Sequence, residues 1–557
     1  MDDSKKIGDK TLEEFINDKI NKGKLTGYTD NGDGTYTIEL NGIKKIIGKS
    51  GELSDGFDVS TWDENALLEE CFIWLSDDPN SPDYGTIIGY TSKSSGYIKL
   101  KYPSRCKRIE FTYNEERYNS TSTSYDESRS FVGSIKELEL PETITTIGRE
   151  AFRTDGLLHF EALEKINIPN SVTNIGEGIF YNCTNLKIVI MSNNITDIPN
   201  EAFSNCSSLE KITIPASVTS IGYSAFSNCE SLTDIVIEHG VTNIKGSAFY
   251  GCRSLGSINI PQSVTNIEGS AFSECESLKS VTLPENITSI SYGTFENCKS
   301  LTNIIIPESV TCIESYAFKR CESLTSIIIP KNVTSIENNA IDNCTNLKSL
   351  EVDDENSEYS SENNLLLDKA KTTVIYCAQG ISTTNIPESV ISIERFAFDE
   401  CKNLTNVVIP ESVTNIGVYA FSNCENLKSI NIPNKLTQIP NAIFYNCSSL
   451  SSIIIPDSVT TIGERAFKFC NNLSSVTIPD SVTTIKDRAF YGCRNLNKII
   501  IPRSVITMGK MGFFLWTENQ TIYCRATSKP SGWNSEWDKY DHYKERKANL
   551  VWGYTGD

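Results

Sequence analysis

The stretch Pro307-Glu-Ser-Val-Thr-Cys-Ile-Glu-Ser-Tyr-Ala-Phe318-Lys-Arg-Cys321-Glu-Ser-Leu324-Thr-Ser-Ile327-Ile-Ile329 is followed at Pro330 by another copy of the same 23-residue unit. Working outward from it, the phenylalanine of the Ala-Phe pair recurs at Phe180, Phe203, Phe226, Phe249, Phe272, Phe295 and Phe318. Ile341 takes the slot once. The spacing then resumes at Phe398, Phe421, Phe444, Phe467, Phe490 and Phe513. A looser copy at Phe152 brings the expected count to fifteen rungs. A fixed period of this length predicts a repeat solenoid, in which each rung buries its apolar face only against its neighbours.

Within a rung, Leu-x-x-Ile-x-Ile reads as a short strand with alternate residues inward. Proline ends it, Ser-Val-Thr-x-Ile is a second extended piece, and Ala-Phe-x-x-Cys is expected to be a tight helical turn. Met191 and Glu238 are read as places where the proline is missing. Thirteen of the eighteen cysteines share one slot, three residues after the phenylalanine position, from Cys183 to Cys493. A small, readily buried residue repeated in register predicts an inward column of free thiols. Rungs repeating at ~4.8 Å are slightly too far apart for a disulfide, whose Cβ atoms approach to ~3.5–4.5 Å. No Cys-x-x-Cys occurs to suggest zinc.

The rhythm breaks between Phe318 and Phe398, where 34 extra residues follow Cys344. Tyr359–Leu367 and Thr372–Cys377, split by Asp368-Lys-Ala-Lys371, predict an inserted hairpin within residues 353–386. Residues 516–557 read as a terminal cap in which Trp533, Trp537 and Trp552 cover the apolar end of the last rung.

Residues 1–130 do not repeat and predict a small α+β region, a possible anchor or cap. Thr11-Leu-Glu-Glu14 is a capping box for a helix ending at Gly23, and Thr61-Trp-Asp-Glu64 opens another carrying Leu68, Cys71, Phe72 and Leu75 on one face. Asn31-Gly-Asp-Gly34 and Asn41-Gly42 are hairpin turns beside Thr35–Leu40. Strands are expected over 97–102 and 108–113. A Ser/Thr/Asn/Glu-rich linker spans 114–130.

The pattern Pro-x-Ser-Val-Thr-x-Ile-x-x-x-Ala-Phe-x-x-Cys-x-x-Leu-x-x-Ile-x-Ile resembles the BspA-like leucine-rich repeat over residues 131–515. The resemblance implies a leucine-rich-repeat, β-rich solenoid and a role in adhesion or recognition, with matrix or host-cell proteins as typical ligands. It brings no catalytic residues. Bacterial members usually carry an export signal, whereas Met1-Asp-Asp-Ser-Lys-Lys-Ile-Gly-Asp-Lys10 shows no apolar h-region.

The formal net charge of −20 is distributed along the chain. That disfavours nucleic acid, which needs a basic stripe, and an anionic membrane surface. No apolar run approaches the ~20 residues of a membrane helix. His159, His239 and His542 are too scattered to assemble a triad or metal site readily. Gly48-Lys-Ser50 resembles the tail of a phosphate loop, but Ile43 stands where its first glycine belongs. Asp30–Gly34 lacks the glutamate that closes a calcium loop.

No enzyme and no cofactor are therefore expected. A carboxylate ridge, Glu285, Glu308, Glu388, Glu411, Asp457 and Asp480, follows the prolines and reads as a solvated edge. Outward strand positions form a strip through Thr213, Val236, Asn259, Thr282, Ile305, Ile328, Val408, Asn431, Ile454, Thr477 and Ile500. Of these, Thr282, Ile305, Ile328, Ile454, Thr477 and Ile500 are the expected partner-binding positions. The expected function is non-catalytic recognition or adhesion, binding a protein or glycan on a cell surface without nucleic acid or membrane insertion. The alternatives are a phage or virus particle component anchored by residues 1–130, or an intracellular scaffold. Cell-surface or virion placement is expected over cytoplasm.

Overall fold

The computed structural model describes the backbone of strands 6–7, 10–11, 27–30, 36–40 and 43–47, and residues 71–75, 78–90, 99–103, 105–109, 133–154, 160–337, 339–538 and 548–556. The chain divides into two compact units, Met1–Cys298 and Lys299–Asp557. Each is a β-solenoid. Between them they comprise about 17 turns rather than fifteen, since strands outside the clear repeat also stack on it.

In the first unit the longer strands make a parallel column running through Lys99–Lys101, Glu137–Glu139, Lys165–Asn167, Ile188–Ile190, Lys211–Ile214 and Asp234–Ile237. Register repeats by rung: Lys211 stands level with Asp234 and Ile214 with Ile237. Ser257–Asn259 and Ser280–Thr282 pair in the same sense. A second column of two-residue strands includes Asp197–Ile198, Ser220–Ile221, Asn243–Ile244 and Asn266–Ile267. The expected strands near residues 100 and 108 appear as Lys99–Lys101 and Arg108–Ile109, both parallel to the repeat. Gly27–Asp30, Tyr36–Leu40 and Ile43–Ile47 form the antiparallel meander that the two glycine turns predict.

The core is a set of stacked columns. Leu209, Leu232, Leu255 and Leu278 are fully buried, as are the phenylalanines. Rings Phe203, Phe226, Phe249 and Phe272 stack at centroid separations of 5.1, 5.4 and 5.3 Å, nearly parallel. That is the offset geometry aromatic quadrupoles favour. In the second unit Phe398, Phe421, Phe444 and Phe467 follow at 4.7, 6.1 and 5.6 Å.

The Ala-Phe turn is not helical. Residues two before and two after the phenylalanine have left-handed backbone, such as Ser224 at φ 51° and Asn228 at φ 56°. That alternation aims successive amides along the solenoid: Ser224, Phe226 and Asn228 donate to the carbonyls of Gly246, Ala248 and Tyr250 in the next rung. A helix would spend those amides within its own turn. The sequence shows why the left-handed position is tolerated: asparagine, which adopts it cheaply, fills it at Asn182, Asn205 and Asn228. Their amides chain together, Asn228 to Asn205 at 2.9 Å and Asn205 to Asn182 at 2.7 Å.

None of the eighteen cysteines forms a disulfide, and seventeen are buried. Those of the repeat slot donate backward: Cys206, Cys229 and Cys252 reach the carbonyls of Phe180, Phe203 and Phe226, each at 3.2 Å. At the end of the repeat Trp516 occupies the cysteine slot, and its indole N–H takes the Phe490 carbonyl at 3.0 Å. Where Ile341 replaces phenylalanine, the Tyr376 hydroxyl supplies the donor at 2.6 Å.

Several expectations need correction. Phe72–Trp74 is a strand paired antiparallel with Thr86–Tyr90, so the second helix does not extend over Cys71–Leu75. Phe72 packs on Tyr102 at 4.6 Å while Leu75 is 47% exposed; the sheet's hydrogen bonds outweigh helical periodicity here. Thr11 lies in a short strand with Lys10, and the rest of the first helix, like residues 61–70 and the linker, falls outside the described residues. Met191 is the last inward residue of its rung; Ser192 fills the proline slot, buried, with its hydroxyl on the Val172 carbonyl at 2.6 Å. The insertion is a three-stranded meander, Tyr359–Glu362, Leu365–Asp368 and Thr373–Cys377, because Asn363 and Asn364, at φ 55° and 63°, make an additional type I′ turn. Its last strand rejoins the short-strand column at Ser392–Ile393. At the carboxyl end Trp516 and Trp537 pack edge-on against Phe513 at 5.0 and 5.8 Å.

Because Phe421 is fully buried between two rings, Phe421→Ala should lower the free energy of unfolding by about 3–5 kcal/mol. Urea unfolding reads this directly, and a parent-like midpoint would contradict the stacking.

Candidate functional site

Strand alternation sends every second residue outward, so the long-strand column gives each unit a regular face of short polar and branched apolar side chains. In the first unit Ile188, Ile190 and Val236 are about half exposed. They line a recess of about 470 Å³ with Met191, Thr213 and Pro215. The Lys211–Asp234 ion pair, 3.6 Å long and well exposed, lies at the same recess. Sequence reasoning began the strip at Thr213 and missed Ile188 and Ile190. Stepping back one period from Thr213 reaches Ile190, and Ile188 is an apolar residue in a column otherwise held by Lys211, Asp234 and Ser257.

In the second unit Ile305 is 85% exposed and Ile454 79%, with Ile328 and Val408 also open. Ile328 stands level with Glu351, and Ile454 with Thr477. Thr477 and Ile500 line a recess of about 460 Å³ with Pro479, Pro502, Lys498 and Arg525. Thr282 is exposed on the first unit's face, whereas Ile500 is only half-exposed. Asn431 stays exposed but folds onto the neighbouring rung's backbone: its amide donates to the Ile409 carbonyl and accepts from the Ile409 amide, both at 2.7 Å.

The carboxylate ridge is exposed at all six positions. Part of it serves the backbone, since Glu411 accepts the Asn434 amide at 2.9 Å. Lys331, which interrupts it, pairs with Glu355 at 3.2 Å and is held above the usual lysine range by that contact. His239 is exposed; His159 and His542 lie outside the described residues, as does Gly48–Ser50. Among the described residues no group of three His, Cys, Asp or Glu is placed to hold a metal ion. Among the described residues, too, no helix is long and apolar enough to cross a membrane. Burial pushes the repeat thiols upward, Cys183, Cys275 and Cys344 to about 12, far from the thiolate a nucleophile needs.

Two partly buried carboxyls flank the insertion. Burial raises Asp342 to about 6, opposed by Lys319 and reinforced by Glu400. Burial likewise raises Asp399 to about 7, opposed by hydrogen bonds from Ser422 and Asn423 and reinforced by Glu400 and Asp342. Glu400 itself is paired with Lys402 at 2.9 Å.

A buried leucine column repeated rung after rung and a parallel long-strand column define a leucine-rich-repeat solenoid. The model of the BspA type leucine rich repeat region matches residues 125–255, 242–363, 372–482 and 437–529, and the chain belongs to that family. A leucine rich cell surface protein of Faecalibacterium prausnitzii is 30% identical, covering 76% of this chain and 91% of that one, with a TM-score of 0.44. A leucine-rich repeat protein of Bacteroides ovatus is 26% identical over 73% of this chain and 88% of its own, with a TM-score of 0.38. The pneumococcal vaccine antigen PcpA is 17% identical over 84% and 94%, with a TM-score of 0.35. No curated protein matches the chain.

The folded chain holds the Asp342 and Asp399 protons more tightly than the unfolded chain, where aspartate titrates near ~3.9. Their burial therefore opposes folding in full above the raised values, and that penalty is relieved progressively as pH falls from them towards ~3.9. Asp399→Asn should raise the melting temperature relative to the parent at about pH 8, with the two curves converging only near about pH 4. Parallel curves across that range would contradict the assignment.

Proposed function

We propose that the chain is a non-catalytic recognition protein that attaches to a protein displayed on another cell's surface through its long-strand face. The observation that carries this reading is the exposure of isoleucine and valine on a regular, lightly charged sheet: Ile188, Ile190 and Val236 in one unit, Ile305, Val408 and Ile454 in the other. Exposed apolar groups in register are disfavoured on a surface that stays in water, and a protein partner would cover them. Short neighbours such as Ser326, Ser349 and Ser452 leave the backbone approachable. The cell-surface description of the Faecalibacterium relative, at 30% identity, supports the same placement.

The buried thiols suit this role as packing residues that require no disulfide. The carboxylate ridge would give the partner's basic groups a long-range attraction, screened beyond a Debye length of ~8 Å at physiological salt.

Flow cytometry of the fluorescently labelled full chain on intact epithelial and bacterial cells tests the reading. Ile328→Glu combined with Ile454→Glu should reduce cell-bound signal by about tenfold or more, equivalent to ~1.4 kcal/mol. The control Glu322→Gln, outside both the ridge and the strand strip, should bind as the parent does. Equal binding by the double variant would remove the strand face as the docking surface.

A further inference from the structure

A separate feature lies where the short strand runs into the Ala-Phe turn, in a sequence slot remote from the long-strand face. Three residues before the phenylalanine the first unit carries Tyr223, Gly246, Gly269 and Tyr292 in successive rungs. Neighbouring rungs fill this slot with Glu177 and Asn200. Tyr223 is 48% exposed and Tyr292 49%, so two large rings stand in water on either side of two rungs that have no side chain.

Tyr223 is held in a defined pose. A methyl group added at Gly246 would meet its Cδ1 and Cε1 atoms at 3.4 Å, so the ring lies along the glycine backbone. Interaction with the Glu268 carboxylate raises the phenol's pKa. Glu268 is itself fixed, accepting the Gly246 amide at 3.1 Å. The Lys245 ammonium sits 5.2 Å from the ring centroid. Beyond Gly246, an added Cβ at Gly269 would meet the Tyr292 carbonyl at 3.1 Å and its Cβ at 3.6 Å, so Tyr292 bounds the far side. Three rung intervals of ~4.8 Å separate the two tyrosine backbones, roughly 14 Å in all.

The ring is thus held along one side, next to a carboxylate fixed by the Gly246 amide, while about half of the residue stays open. An aromatic residue immobilised in this way has already lost the rotamer entropy that binding would cost. The charged groups around this exposed ring are the Lys245 ammonium over its face and the Glu268 carboxylate that acts on its hydroxyl. A protein core contact would bury both charges at a penalty. A polyhydroxylated ring suits the surroundings better: its C–H face lies on the tyrosine and its hydroxyls donate to Glu268 and accept from Lys245. The Glu268 charge beside the ring repels an acidic sugar.

We propose that Tyr223, Lys245, Gly246 and Glu268 form a binding site for a neutral oligosaccharide, with Tyr292 bounding its far end. The site is independent of the strand-face reading, and either can stand without the other.

Saturation-transfer difference NMR on the full chain tests it, using chitotetraose, maltotetraose, mannotetraose and, as an acidic comparison, tetragalacturonate. At least one neutral probe should receive transfer, and Tyr223→Ala should weaken its binding by about tenfold. Glu268→Gln should weaken it less, because the amide keeps an acceptor oxygen. Ile328→Glu combined with Ile454→Glu should leave it unchanged. Thermal melting of Tyr223→Ala should match the parent, as the ring is exposed. No transfer to any neutral probe, equal transfer in Tyr223→Ala, or transfer to tetragalacturonate alone would overturn the proposal.

Discussion

Everything in this chain depends on hydrogen bonds that run from one rung to the next. A two-residue strand or a tight turn cannot satisfy its own backbone, and buried amides left without partners are costly. The left-handed residues around each Ala-Phe pair solve this by pointing alternate amides forward, as Ser224, Phe226 and Asn228 do. The thiol of Cys229 points backward to the Phe203 carbonyl. Phenylalanine stacking supplies apolar burial between those two sets of contacts. Cysteine is favoured because the slot needs a small, apolar side chain with one weak donor; at the edge of the repeat an indole meets the same requirement.

The period made most of this legible. Phenylalanine, leucine and cysteine in fixed register declare a buried column without reference to any coordinates, and the inward assignments of Phe318 and Phe421 follow from spacing alone. The turn conformation was harder to see, because Ala-Phe-x-x-Cys has helical spacing. The contrary signal was the asparagine two positions after phenylalanine, a residue suited to positive φ. Phe72 was misread for a related reason. Apolar residues three and four apart suggest a helix, yet a neighbouring strand offers that segment a ladder.

The functional surface was less legible because a repeat hides it. Selection for packing fixes inward columns, whereas surface columns vary, and variation against a period looks like noise. The outward strip was found as a column, but Ile188 and Ile190 were not, since they lie where the pattern loosens. The Tyr223 feature involves positions three and four before the phenylalanine in successive rungs, so no linear motif contains it. Only the ring's contact with Gly246 and the Gly246 amide's hydrogen bond to Glu268 bring those residues together. The outward faces and the turn edge carry the recognition chemistry proposed for this solenoid, while its interior thiols are held protonated by burial.

Quantitative alkylation of the native chain with iodoacetamide, followed by mass spectrometry of each cysteine peptide, tests the rung-to-rung architecture most directly. Cys312 alone is only partly buried. It should therefore label first, with the remaining seventeen reacting only after denaturation. Early labelling along the Cys206, Cys229 and Cys252 series, or recovery of those cysteines as disulfides, would contradict a solenoid closed by thiol-to-carbonyl contacts.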